Sequence, residues 1–87
     1  MKKYLHLGLD TSIEIKNIIG IFDMDMTSVS KHTRKFLSEC EKENRIVNIT
    51  FELPKSYIIY DFDGEVSVYL SPLGASTLLK RMNQESY

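Results

Sequence analysis

Apolar residues at Leu5, Leu7 and Leu9, and again at Ile13 and Ile15, alternate with polar ones on either side of a polar Asp10-Thr11-Ser12 break. Period two marks a strand with one face on a core, so the stretch predicts a hairpin. The run "IIGIFD" that follows is more uniformly apolar and predicts a third strand, in which Gly20 signals a bulge or a close backbone approach. From Met26 to Asn44 the period changes. Val29, Thr33, Phe36, Leu37 and Cys40 fall at i, i+4, i+7, i+8 and i+11, the stripe of a helix, with Thr27 or Ser28 as its cap. Lys31, Arg34, Lys35 and Ser38 point away from that stripe.

The second half repeats the scheme. "RIVNITF" and "SYIIYDF" read as strands, the latter buried on both sides from Tyr57 to Tyr60, with Pro54 starting it where no ladder donor is needed. Asp63-Gly64 supplies a tight turn into "VSVYLS", because glycine takes a positive φ without a Cβ clash. "SPLGASTLLKRM" then predicts a closing helix with Ser71 as N-cap and Pro72 at its first position. Its buried face would hold Ala75, Leu78, Leu79 and Met82, with Lys80 and Arg81 near the helix end complementing its dipole and "NQESY" as a frayed tail. Three strands, a helix, three strands and a helix make an α+β domain, βββαβββα, with a small, mostly antiparallel sheet. No linker, repeat or low-complexity tract divides residues 1–87, so they form a single domain whose compact part runs from about Tyr4 to Met82.

Composition narrows the functional classes. A chain of 87 residues buries only about 60% of its unfolded surface, and the single Cys40 offers no internal disulfide, so association with copies of itself is the expected supplement to the core. There is no signal-peptide pattern and no apolar run of membrane-spanning length, which predicts a cytoplasmic protein without a membrane partner. Eleven basic against twelve acidic residues give a formal charge of -1, so nucleic-acid binding would have to come from a local patch.

Catalytic chemistry finds no constellation. His6 and His32 have no carboxylate partner in sequence, and Cys40 completes an apolar stripe. "DFDG" fails as a calcium loop: with Asp61 and Asp63 at the third and fifth positions, the first and twelfth fall on Ile59 and Leu70, which offer no side-chain oxygen. There is no phosphate-binding glycine loop. The residues predict no enzyme, no cofactor and no metal.

Four stretches carry a resemblance: "YLHLGLDTSIEIKNIIGIFDMD", "TRKFL", "ELPKSYII" and "VYLSPLGASTLLKRM". Together they are similar, in order and length over nearly the whole chain, to the RemA/RemB-like extracellular matrix regulatory protein family, and to its RemB branch in particular. The resemblance implies a LytTR-like sheet, a ring-shaped homo-oligomer, and regulation of biofilm-matrix genes by binding double-stranded DNA. Where RemA-like relatives carry an arginine before the third strand, this chain has Asn17 with Lys16 just before it. Where they carry a double arginine before the late strand, it reads Leu53-Pro54 with Lys55 just after. The resemblance thus implies Lys16 and Lys55 as DNA contacts, helped by Arg34 and Lys35. Lysine meets phosphate as a point charge without the arginine fork, which implies backbone contact rather than base reading. A ring repeats a weak patch once per subunit, so such contacts add along one duplex. A second expectation belongs to another class: a non-enzymatic oligomeric scaffold acting through protein partners, with Tyr57, Tyr60 and Phe62 lining an interface.

Overall fold

A computed structural model describes residues 3–24, 31–50 and 52–85. Its elements are β1 (Tyr4–Gly8), β2 (Thr11–Glu14), a 3-10 turn (Ile15–Asn17), β3 (Ile18–Asp23), α1 (Lys31–Lys42), β4 (Ile46–Asn48), β5 (Ser56–Phe62), β6 (Glu65–Ser71) and α2 (Ala75–Glu85). The order is the predicted βββαβββα. β1 and β2 form a separate antiparallel hairpin, and the other four strands make a sheet in the order β3-β5-β6-β4. β5 is antiparallel to both β3 and β6, and β4 lies parallel to β6.

The apolar run of β5 follows from its place inside the sheet with both faces covered. Tyr57 and Ile59 point to one side, where Val68 and Leu70 of β6 and Ile46 of β4 meet Phe36, Leu37 and Cys40 of α1. Ile58 and Tyr60 point to the other, where they meet Leu5, Leu7 and Ile13 of the hairpin and Leu78 of α2. The sheet is therefore the middle of three layers, and the core is two small clusters rather than one. Of the two alternatives for Gly20, a bulge is present, and the close approach is of a side-chain ring rather than of backbone. The β3 register shifts between Ile18 and Gly20, and a Cβ on Gly20 would lie 2.5 Å from the ring of Phe22. That ring stacks on Tyr57, with centroids 5.1 Å apart. At the other end of β5, Asp63 and Gly64 have φ of 54° and 84°, the pair of positive values that a type I′ hairpin turn requires.

Several local expectations are corrected. The first hairpin turns at Leu9-Asp10, not at Asp10-Thr11-Ser12, because Gly8 at φ 122° begins the bend early; Thr11 and Ser12 belong to β2. Leu9 is consequently exposed, at φ 50°, and its carbonyl accepts Nε2–H of His6 at 2.7 Å. Ile15 falls in the 3-10 turn rather than in a strand. Among the described residues of "RIVNITF", only Ile46–Asn48 is strand; Phe51 lies outside the described residues.

Ser71 does not cap α2. It ends β6 opposite Ser56, and its hydroxyl is spent between layers, donating to the Leu7 carbonyl and accepting the Leu73 N–H. The helix begins at Ala75, with the Gly74 carbonyl taking its first bond from Leu78. The acid at its amino end comes from β3: Asp23 Oδ1 accepts the Ala75 N–H at 3.4 Å. The helix continues through Asn83–Glu85, so these residues are not frayed, and its last turn holds no basic residue, which leaves Lys80 and Arg81 in mid-helix. Leu79 is 41% exposed and lies off the buried face. Thr27, Ser28 and Val29 lie outside the described residues.

Candidate nucleic-acid interface

Lys55 precedes β5 by one residue, and its backbone is held from both sides. Its N–H donates to the Ser71 carbonyl of β6 at 2.8 Å, and its carbonyl accepts the N–H of Met24, just past β3, at 3.0 Å. The side chain is exposed. Pro54 fixes φ immediately before it, so an exposed cation stands on a rigid base. The next residue strengthens that base: Ser56 is fully buried and its hydroxyl donates to the Leu73 carbonyl at 2.7 Å.

Lys16 occupies the middle of the 3-10 turn, with 70% of its side chain exposed. Its neighbour Asn17 anchors the turn, donating from Nδ2 to the Tyr60 hydroxyl at 3.4 Å. Lys16 Nζ is also 3.7 Å from Glu14, which offsets part of its charge toward an anionic ligand. Because β3 and β5 are antiparallel, Lys16 and Lys55 lie at opposite ends of that pair. The six residues of β3 between them set a separation of roughly 20 Å, about six base-pair rises of duplex DNA.

Arg34 and Lys35 are exposed on α1, the layer that covers the Tyr57 face. The chain leaves β3 beside Lys55 and enters α1 at Lys31, and the helix ends against β6, where the Val68 N–H donates to the Arg45 carbonyl. Its first turns therefore lie toward the Lys55 end. The four predicted cations are not one cluster: Lys55, Arg34 and Lys35 share one end of the sheet, and Lys16 stands at the other. Nearby acids temper both ends. Asp23 and the exposed Glu52 lie near Lys55, while the Lys16 end holds the acidic β5–β6 turn with Asp61, Asp63 and Glu65.

Sequence reasoning left Arg45 without a role. One guanidinium nitrogen donates to the Val66 carbonyl at 3.1 Å and the other pairs with Glu43 at 2.6 Å, so this cation clamps the end of α1 to β6. Asn17 and Asp23 were equally invisible as anchors, since their partners lie 43 and 52 residues away.

The remaining chemistry is structural. Cys40 is fully buried, and burial pushes its thiol up against the opposing pull of Arg45, so the sulfur stays a protonated core atom. Burial likewise raises the Tyr57 and Tyr69 phenols, with Tyr60 adding to the rise at Tyr69. Tyr57 faces α1, whereas Tyr60 and Phe62 face away from it, so the three aromatics expected at a single interface are split between two faces. Among the described residues, no group of three or more His, Cys, Asp or Glu could hold a metal ion, and no helix is long and apolar enough to cross a membrane.

With this geometry in view, comparison with known proteins is specific. A family profile described as RemA-like, extracellular matrix regulatory protein A-like, matches residues 4–82. The chain is also 33% identical over 78 residues to Extracellular matrix regulatory protein B of Bacillus subtilis (strain 168), a match spanning 90% of this chain and 88% of that protein. The profile runs through β3, the Lys55 segment and most of α2, and the chain belongs to the RemA-like family of extracellular matrix regulatory proteins.

Proposed function

We propose that this protein is a transcriptional regulator of extracellular matrix genes that binds duplex DNA through its phosphates as a ring-shaped homo-oligomer. The observation that carries this reading is the double backbone anchoring of Lys55 beneath an exposed ammonium, because the main chain is already ordered and only the side chain remains to be immobilised when a phosphate arrives. Lys16 supplies the second contact, and Arg34 and Lys35 reinforce the Lys55 end. A protomer with so few cations binds weakly, and repetition around an oligomer makes the contacts additive on one duplex. Lysines on the backbone select for charge and shape more than for base identity.

Fluorescence anisotropy with a labelled duplex across a salt series tests this reading. Log affinity should fall linearly with log salt, and removing either lysine should reduce the slope by about 0.9 for each phosphate left without its ammonium. No binding at low salt, or an affinity insensitive to salt, would overturn the proposal.

A second reading, an oligomeric scaffold acting through protein partners, draws on exposed apolar side chains. Leu53 is 90% exposed beside Lys55, and Ile19 is 60% exposed on the outer strand β3. A pull-down that retains a partner protein but no duplex at low salt favours it.

A further inference from the structure

We infer that the outer half of the β5–β6 face is a binding site for a small methylated ammonium cation. Tyr60 and Phe62 alternate along β5 and face the same way as Glu65, Ser67 and Tyr69 of β6, with Tyr60 opposite Ser67 and Phe62 opposite Glu65. These five side chains line a groove of about 350 Å³. Tyr60 and Tyr69 meet at 83° with centroids 5.6 Å apart, so their rings form two walls nearly at right angles. Phe62 adds a third ring. Packing accounts for the two tyrosines but not for Phe62, which stays 61% exposed with a carboxylate directly across from it.

Aromatic faces carry partial negative charge, and several of them beside one carboxylate are the chemistry that attracts a weakly hydrated cation bearing methyl groups. A single carboxylate is too few oxygen ligands for a hard metal ion. The charges around the groove support the same class of ligand. Asp63 stands at the turn beside Glu65, while the Asp61 side chain alternates to the opposite face and accepts the Gly64 N–H at 3.1 Å. Lys16 lies 3.7 Å from Glu14 and Arg45 lies 2.6 Å from Glu43, so each of these cations has a carboxylate other than Glu65 beside it. Glu65 is thus the acid left to face a ligand in the groove. The groove lies at the Lys16 end of the sheet, next to one proposed DNA contact, but none of its lining residues is such a contact and the proposal does not depend on DNA binding.

The test is an NMR titration of the aromatic ring signals of the whole chain with tetramethylammonium chloride. Sodium chloride and the neutral isostere 2,2-dimethylpropan-1-ol serve as controls. Saturable shifts at Phe62 and Tyr69 are expected with tetramethylammonium and with neither control. Phe62→Ala should weaken binding about fivefold, which corresponds to ~1 kcal/mol for one exposed cation–aromatic interaction, and Glu65→Gln should weaken it while leaving the ring signals in place. An Nα-acetyl-lysine amide arm separates a free solute from a partner's side chain. Tetramethylammonium should bind more tightly, because a primary ammonium is more strongly hydrated. Shifts equal to those with either control, unchanged affinity in both variants, or tighter binding of the lysine derivative would overturn the proposal.

Discussion

Replacing Lys16 and Lys55 together by glutamate is expected to reduce duplex affinity by at least about 100-fold, while the circular dichroism spectrum and native mass stay those of the wild type. Both side chains are exposed and neither lies in a core cluster, so the fold has no stake in their charge. Reversal removes two phosphate-binding cations per protomer and places two anions where phosphates would lie, and an oligomer multiplies the effect along the duplex. The two single variants should not be equal. Lys16 shares its charge with Glu14 and stands at the end that holds the acidic β5–β6 turn, whereas Lys55 has Arg34 and Lys35 on its side of the sheet. Lys55→Glu should therefore cost more than Lys16→Glu. Equal binding by the double variant and the wild type would remove these residues from the interface.

The second large effect concerns stability. Leu78 of α2 is fully buried against both the hairpin and β5, joining Leu5, Leu7 and Ile13 to Ile58 and Tyr60. Leu78→Ala should cost about 2–5 kcal/mol, the lost transfer energy plus the cavity left behind. A domain of this size holds only about 4–13 kcal/mol in total, at roughly 0.05–0.15 kcal/mol per residue. The melting temperature should fall by about 8–40 °C. Leu79→Ala, one position along and 41% exposed, should cost under about 1 kcal/mol. Thermal melts at several protein concentrations separate this loss from any stabilisation by association. Equal effects of the two variants would contradict the assignment of the buried face.

What the sequence made legible follows the range of the interactions that decide each feature. The alternation of Leu5, Leu7 and Ile13, the Phe36-Leu37-Cys40 part of the helical stripe and the Asp63-Gly64 turn depend on neighbours a few residues away, and these appear as expected, whereas Leu9 and Ile15 fall outside the strands. The start of α2 does not, because Ser71-Pro72 satisfies the local rule for a cap as well as the actual Gly74 does. Only the tertiary demand of the Leu7 carbonyl on the Ser71 hydroxyl decides between them. The parallel pairing of β4 with β6 is equally hidden, since three residues of strand carry no mark of the direction of their partner.

The interface shows the same division. Lysines can be read from the chain, but their grouping cannot. The split between Lys55 at one end of β5 and Lys16 at the other follows from the β3–β5 register, and the anchoring of Lys16 depends on an Asn17–Tyr60 bond across 43 residues. The separation of Tyr57 from Tyr60 and Phe62 could have been found from parity along the strand. It was obscured because a strand buried on both faces has no polar side to reveal which residues belong together.

The most direct measurement is a map of duplex DNA onto the protein by amide chemical-shift perturbation at low salt. Shifts should concentrate at Lys16 and Asn17 and at Lys55 and Ser56, with smaller ones at Arg34 and Lys35, all fading as salt is raised. Shifts confined to other surfaces, or none at all at low salt, would contradict DNA binding through these lysines.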